Sequence, residues 1–273
     1  MTPDSGRPGR RQPAGTSPPR WRVVDLQALP KAERAALAKR LFEVQQKVFR
    51  GTGYDDFCSQ VIEPPADRSV VALLQTGSGA LVGYCTAHIY RRRVGQRSVS
   101  VIWPQGGLLP SYRGGSSTFR FGLRQVLREK LSHPLRRVVF LGSLVHVSSY
   151  RLFSKYFPRV YPSVGRPMPP RLRHLALKLA AEITAPAVDP ADPLVRNDGW
   201  VTIPAPDETT EIRPQDPPDI AFFKRRNPGY PRGHGLLVVV PIGFYDIAFA
   251  AIRRVAEGVR AQASQARRAP PET

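Results

Sequence analysis

The chain has 273 residues and a formal net charge of +20, with 41 basic side chains, 21 acidic side chains and 29 prolines. No apolar run reaches the roughly 18 residues that a membrane-spanning helix needs, so the sequence predicts no such helix. The two cysteines, Cys58 and Cys85, form no CxxC pair and the five histidines show no metal-binding spacing, which excludes a disulfide framework and predicts no metal site.

The N-terminal part of the chain is predicted to hold a tail and two helices. The first 20 residues combine Pro, Gly and Arg without an apolar segment, so we expect a disordered tail and no secretory signal. A helix is predicted over 29–49, where Pro30 stands near the start and four apolar residues recur at helical spacing: Leu37, Leu41, Val44 and Val48. A short second helix is predicted over 55–62.

Three β-strands are predicted next, over 68–75, 80–94 and 97–109, because these runs are apolar and β-branched and turn signals separate them. The third strand contains Pro104 and the pair Gly106–Gly107, which disrupt a regular hydrogen-bonded ladder. We therefore expect a bulge or a splay in this strand.

A further strand and three helices follow in the central part of the chain. They are, in order, a helix over 116–131, a strand over 136–145, and helices over 148–157 and 170–183. Four residues form the apolar inner face of the first helix: Phe119, Leu123, Val126 and Leu127. Hairpin-linked strands followed by a strand–helix–strand step predict an α+β fold with a twisted mixed sheet and flanking helices.

Beyond residue 185, the predicted structure is less regular. Residues 186–218 contain eight prolines and an excess of acidic side chains, so we expect a long connection on the surface. Strands are predicted over 220–226 and 235–242, followed by an amphipathic helix over 244–262. The apolar face of that helix, which we expect to pack on the protein's own sheet, is formed by Phe244, Ile247, Ala248, Ala251, Ile252, Val255 and Val259.

These predictions divide the chain into four segments. They are a tail (1–20), a core (21–185), a Pro-rich acidic connection (186–218) and a C-terminal part (219–273) that completes the domain.

The run LLPSYRGGSSTFRFG, residues 108–122, joins a predicted strand to a predicted helix. The first N–H groups of a helix have no partner inside it, and the positive end of the helix dipole attracts anions. Gly114 and Gly115 let a ligand approach the backbone closely, and Arg113 adds a planar donor suited to phosphate. The run therefore predicts either a phosphate-binding loop or an ordinary turn with a helix cap at Ser116.

The order of elements around this run resembles the GNAT family of acyl-CoA-dependent N-acyltransferases. Members of that family carry a Q/R-x-x-G-x-G/A loop after a splayed strand, often within the motif V-x-P-x-Y-R-G-x-G, and the residues that match this motif here are Leu108, Pro110, Tyr112, Arg113 and Gly114. Ser111 and Ser116 depart from the family pattern, which prefers Gln or Arg at the first position and Gly or Ala at the other. The resemblance covers about residues 22–160.

The resemblance implies that acetyl-CoA or another acyl-CoA is the co-substrate and that the loop amides hold its pyrophosphate. The residues expected to bind it are Leu108, Leu109, Arg113, Gly114, Gly115, Ser116 and Ser117.

The catalytic groups implied by the resemblance are only partly present. A tyrosine often protonates the departing thiolate in the family, but Phe153 stands at that position, so Tyr150 and Tyr156 are the candidate substitutes. No acidic residue occurs between residues 69 and 110, where the usual base would lie. The remaining candidate bases are His88, an acid before the sheet (Asp55, Asp56 or Glu63) or a chain of water molecules.

The leading hypothesis is therefore a cytoplasmic acyltransferase that acts on a small-molecule or peptide amine. The arginines occur in twos and threes without a nucleic-acid-binding motif, so we expect no dedicated nucleic acid partner, and a homodimer stays open. One alternative is a GNAT-like domain that binds acyl-CoA without catalysis. Another is a basic peripheral protein whose C-terminal helix lies on an anionic membrane or another polyanion.

Overall fold

The protein is described by a computed structural model that covers residues 19–113, 117–204 and 208–266, with side chains up to residue 260 apart from that of Ser117. Its strands are β1 (Arg20–Asp25), β2 (Phe49–Arg50), β3 (Arg68–Gln75), β4 (Leu81–Val94), β5 (Arg97–Leu108), β6 (Arg137–Leu144), β7 (Val195–Asn197), β8 (Val201–Thr202) and β9 (His234–Ile242). Its α-helices are α1 (Lys31–Val48), α2 (Tyr54–Phe57), α3 (Ser117–Ser132), α4 (Val147–Tyr156), α5 (Pro170–Ile183), α6 (Pro218–Arg226) and α7 (Phe244–Ala266). A π-helical turn (Cys58–Ile62) extends α2, and 3-10 turns cover Pro110–Tyr112 and Tyr230–Arg232.

Seven strands form one mixed sheet in the order β1-β3-β4-β5-β6-β9-β7. The β5–β6 pair is parallel, and the other pairs of this sheet are antiparallel. Strands β2 and β8 make a separate two-stranded sheet. The predicted α+β class is confirmed.

Apolar side chains cover both faces of the sheet, because successive residues of a strand point to opposite sides. In β3, Val71 and Leu73 pack on the α1 side, whereas Val70 and Ala72 pack in the larger cluster on the other side. The apolar stripe predicted for the first helix is buried in the α1 layer. The sheet is thus the middle layer between two groups of helices.

The third predicted strand, 97–109, corresponds to β5, and the splay predicted for it lies between β5 and β6. Their ladder joins only Val99–Ile102 to Arg137–Phe140, although both strands continue further. Pro104, which has no N–H to donate, stands just beyond the last pair. The predicted bulge is absent from the pairing of β5 with β4, which keeps an unbroken register from Arg97 to Leu108.

Two predictions about the C-terminal part are wrong. Residues 220–226 belong to helix α6 and not to a strand, because Pro217 and Pro218 favour a helix start and Phe223 packs between Tyr150 and Tyr230. The apolar run there is too short for its periodicity to distinguish a helix from a strand. The segment 186–218 is also not only a surface connection, since β7 joins the main sheet and Trp200 is buried.

The packing of α7 also differs from the prediction. Its predicted apolar face is mostly exposed, because the buried side of the helix carries Asp246 and Ala250 instead. On α3, Leu127 is likewise exposed, and Phe121 takes a buried position.

Candidate active site

The separation of β5 and β6 opens a cavity of about 610 Å³. One wall is the end of β5, residues 103–108, which pairs with β4 but not with β6, followed by Arg113 and the first turns of α3. The end of β6 and the start of α4 form the second wall. Trp200 and Thr202, together with the end of α1 and β2, close another side.

Some of the predicted CoA-binding residues line this cavity, and others do not. Leu108 and Arg113 line the cavity, and the Arg113 Nε–H donates to the Leu108 carbonyl over 3.0 Å. Leu109 packs instead against the cluster on the α1 side of the sheet. Ser117 begins α3, whose second residue, Thr118, also lines the cavity.

The remaining predicted residues of the loop, Gly114, Gly115 and Ser116, lie outside the described residues. The described ends of the loop nevertheless meet at one wall. The N-terminal end of the 16-residue helix α3, where backbone N–H groups and the helix dipole favour an anion, adjoins the cavity beside Arg113.

The two candidate tyrosines do not line the cavity. The Tyr150 hydroxyl is buried and donates to the Pro162 carbonyl over 3.0 Å, and burial raises its pKa. The Tyr156 hydroxyl bonds to Glu257 while its ring stacks on Phe119 at 4.0 Å between centroids. Burial raises the pKa of Tyr156 to about 12. Both side chains pack in the core, and their positions do not support a role as thiolate acid.

His88 is fully buried and also lies away from the cavity lining. Its Nδ1 is 2.9 Å from the Ser69 hydroxyl oxygen, and burial lowers the pKa of the imidazole to about 4. Its position does not support a role as base. The acids before the sheet, Asp55, Asp56 and Glu63, do not line the cavity either.

Asp198 is a carboxylate that lines the cavity, and it was not predicted as a site residue from the sequence. It follows β7 directly and accepts a hydrogen bond from the Ser143 hydroxyl at the end of β6. Burial raises the pKa of Asp198 to about 6, although Ser143 and Arg196 pull it down. The side chain is thus an enclosed carboxylate that still has access to the cavity, a combination typical of general bases.

Gly235 makes the contact between Asp198 and Ser143 possible. Strand β9 lies between β6 and β7, so the Asp198 side chain must cross β9 to reach Ser143. A Cβ atom at position 235 would overlap both Asp198 Oδ2 and Ser143 Oγ. The absence of a side chain at Gly235 therefore creates the space in which the pair forms.

A second polar cluster stands at the start of α4. His146 Nδ1 accepts the Ser148 backbone N–H over 3.2 Å, and His146 Nε2 lies 2.5 Å from Glu208 Oε1. His146 lines the cavity, as does Glu182, whose carboxylate bonds to Arg92.

One buried polar atom of the cavity wall, Thr202 Oγ1 on β8, has no hydrogen-bond partner within the described part of the chain. Because an unpaired buried polar group costs free energy, this atom is positioned to bind a polar ligand.

Comparison with known proteins gives matches among solved structures only. No family model matches the chain, and no curated protein matches it. NAA60 from Arabidopsis thaliana, in complex with a bisubstrate analogue, shares 16% identity over 52% of this chain and 88% of its own, with a TM-score of 0.34. The same protein is also known in complex with acetyl-CoA, at 15% identity and a TM-score of 0.34.

A GCN5-related N-acetyltransferase from Kribbella flavida is similar at 16% identity over 53% of this chain and 85% of its own, with a TM-score of 0.34. A putative GNAT-family acetyltransferase from Bordetella pertussis is similar at 17% identity over 47% and 83%, with the same TM-score. The chain is similar to these structures over about half of its own length, and its α+β class is given by its own mixed sheet, splayed between β5 and β6.

Proposed function

We propose that this protein is an acyltransferase that moves an acyl group from acyl-CoA to an amine. The observation that carries the proposal is the cavity at the splay of β5 and β6, where an unpaired strand edge, the N-terminal end of a helix and an enclosed carboxylate meet. These are the three features that an acyl-CoA, its pyrophosphate and a reacting amine require.

The residues along the cavity fit an acyl-CoA. The strand edge at 103–108 offers backbone groups to the amides of the pantetheine arm, and Arg113 with the start of α3 offers positive charge to the pyrophosphate. Phe119 and Phe153 supply apolar wall. When bound, acyl-CoA supplies a thioester carbonyl for attack by the amine.

Asp198 acts as the general base in this proposal. With a pKa of about 6 it is ionised at neutral pH, so its carboxylate can accept the proton that the amine nitrogen loses as the C–N bond forms. The C–S bond then breaks and the thiolate leaves. Because an ordinary thiol has a pKa of about 8.5, the thiolate can take its proton from solvent and needs no tyrosine acid.

The acceptor is a primary amine, which arrives as an ammonium ion and gives one proton to solvent before the neutral nitrogen attacks. Asp198 takes the second proton as the C–N bond forms. Asp198 and Glu182 are carboxylates of the cavity wall, and Glu208 pairs with His146 beside it. The Asp198 carboxylate attracts an ammonium group, whereas the Glu182 carboxylate is already bonded to Arg92.

Calorimetric titration with acetyl-CoA and with CoA tests the binding half of the proposal. We expect saturable binding of both in the micromolar range typical of co-substrates. Absence of binding at millimolar concentration would overturn the proposal.

A second candidate function is acyl-CoA binding without catalysis. The observation that favours it is the position of Tyr150 and Tyr156, neither of which lines the cavity. Binding accompanied by an intact thioester across a broad panel of primary amines would support this alternative. Release of free thiol that depends on an amine would exclude it.

A further inference from the structure

Helix α7 presents an apolar stripe to solvent. Ile252, Val255 and Val259 are 69%, 67% and 60% exposed, and Phe244 continues the stripe at the start of the helix. Residues at these spacings lie on one face of an α-helix. A continuous exposed apolar face on a helix marks an interaction surface, whereas single exposed apolar residues do not.

Polar bonds on the opposite side hold α7 in this orientation. Asp246 is fully buried, accepts the Gly243 backbone N–H over 2.8 Å and pairs with the Arg159 guanidinium. Eleven residues further along the helix, Glu257 bonds to Lys155 and to the Tyr156 hydroxyl. Turning the stripe inward would break both anchors and leave the Asp246 carboxylate buried without its cation, which is strongly unfavourable.

The C-terminal end of α3 extends this surface. Lys130 Nζ lies 5.6 Å from the centre of the Phe244 ring, so the end of α3 adjoins the start of α7. Leu131 and Leu135, at and just beyond that end, are 65% and 100% exposed. We refer to the α7 stripe and these two leucines as the apolar face.

The charges around the apolar face have one sign. The exposed charged side chains that α3 and α7 present in their described parts are arginines: Arg120, Arg124, Arg128, Arg253 and Arg260. The three acidic residues of the two helices are buried or paired: Glu129, Asp246 and Glu257. A second copy of the chain would bring arginines against arginines, whereas an anionic headgroup layer complements them.

We propose that the apolar face docks on an anionic phospholipid surface, with the stripe in the acyl boundary and the arginines at the headgroups. No helix among the described residues is long and apolar enough to cross a bilayer, so the association is peripheral. The proposal is independent of the acyltransferase function, since none of the residues of the apolar face lines the cavity.

Co-sedimentation of the full chain with vesicles of phosphatidylcholine, with and without phosphatidylglycerol, tests the proposal. We expect binding to the anionic vesicles only. Replacing Ile252, Val255 and Val259 together by serine should weaken that binding by about a hundredfold, since the affinity of an interfacial helix scales with its buried apolar area. The matched control replaces three exposed apolar residues elsewhere by serine, Val164, Val188 and Ile212, and should bind as the wild type does.

A charge variant tests the second half of the same proposal. Arg253→Gln with Arg260→Gln should weaken binding to anionic vesicles by about tenfold, because each arginine near such a surface contributes to the attraction. Equal binding of the wild type and the triple serine variant would overturn the proposal. A dimer that is seen by light scattering without vesicle binding, and that dissociates in the triple serine variant, would also overturn it. So would tighter binding to a DNA duplex than to anionic vesicles, if the triple serine variant retains it.

Discussion

Asp198 is the residue on which the proposed chemistry depends, and its pKa gives a prediction for the pH dependence of the rate. Because a general base must be ionised, kcat/KM calculated for the neutral form of the amine should rise with pH and level off above about 6, the pKa that burial gives this carboxyl. The pH–rate profile of the wild type measures this rise. In Asp198→Asn the rise with pH should disappear and the rate should fall by about a hundredfold or more. If the rise persists in the variant, it belongs to another group.

The same carboxylate should reduce stability above pH 6. A carboxyl whose pKa is raised in the folded state contributes stability below its unfolded pKa of about 3.9, and that contribution is lost as the pH rises through about 6. Asp198→Asn, which cannot ionise, should therefore melt at a higher temperature than the wild type at pH 8 and at the same temperature near pH 4. A lower melting temperature of the variant at pH 8 would show that the ionised side chain stabilises the fold.

Gly235 provides a test of the Asp198–Ser143 contact. Gly235→Ala should displace the Asp198 side chain, destabilise the protein by about 1–3 kcal/mol and reduce kcat more than it weakens CoA binding, because the new methyl overlaps both partners. Chemical denaturation and steady-state kinetics measure the two effects. Gly258→Ala is the matched control, since a Cβ there meets open space within 4 Å, and it should not reduce activity.

Sequence reasoning missed Asp198 for a physical reason. The residue stands in a Pro-rich acidic segment, and only the insertion of β9 between β6 and β7 brings it to Ser143, 55 residues earlier in the chain. Such a long-range strand order leaves no local pattern. The nearest signal was Gly235, a glycine at the start of a strongly apolar strand, which indicates close approach of another group.

Among the secondary-structure elements, the splay between β5 and β6 determines where the proposed ligand site lies. The sequence predicted the strand and its interruption, because Pro104 and the following glycines are local features with local consequences. The opposite case is α7, whose periodicity was predicted but whose orientation was not. Periodicity tells which residues share a face, whereas the buried Asp246 decides which face turns inward.

Arg113, in the loop between β5 and α3, is tested by reversing its charge. Arg113→Glu should weaken CoA binding by at least about tenfold without unfolding the protein, because it reverses a charge at the wall that is proposed to hold the pyrophosphate. Calorimetry gives the affinity and thermal melting gives the stability. Arg22→Glu makes the same charge change at an exposed position on the edge strand β1 and should bind CoA normally. If Arg113→Glu binds CoA as tightly as the wild type, the loop does not contribute to the CoA site.

At the scale of the whole molecule, the C-terminal part completes the sheet that the N-terminal part begins. Strand β9 pairs with β6 over Leu144 to Val138, and its buried run Leu236–Val240 belongs to the main core. The proposed base stands on the segment that pairs with β9, so the site is assembled from both parts. The apolar face, which is proposed to bind membranes, is formed by α7 and the C-terminal end of α3. None of its residues lines the cavity.

Acyl transfer by the full chain is the direct test of the claim that this protein is an acyltransferase. Mass spectrometry of reactions that contain acetyl-CoA and a panel of primary amines detects the acylated amine, for the wild type and for Asp198→Asn. We predict an acylated product with the wild type and a rate about a hundredfold or more lower with the variant, at unchanged affinity for CoA. Equal rates for the two proteins, or no acylated amine from a wild type that binds acetyl-CoA, would contradict the claim.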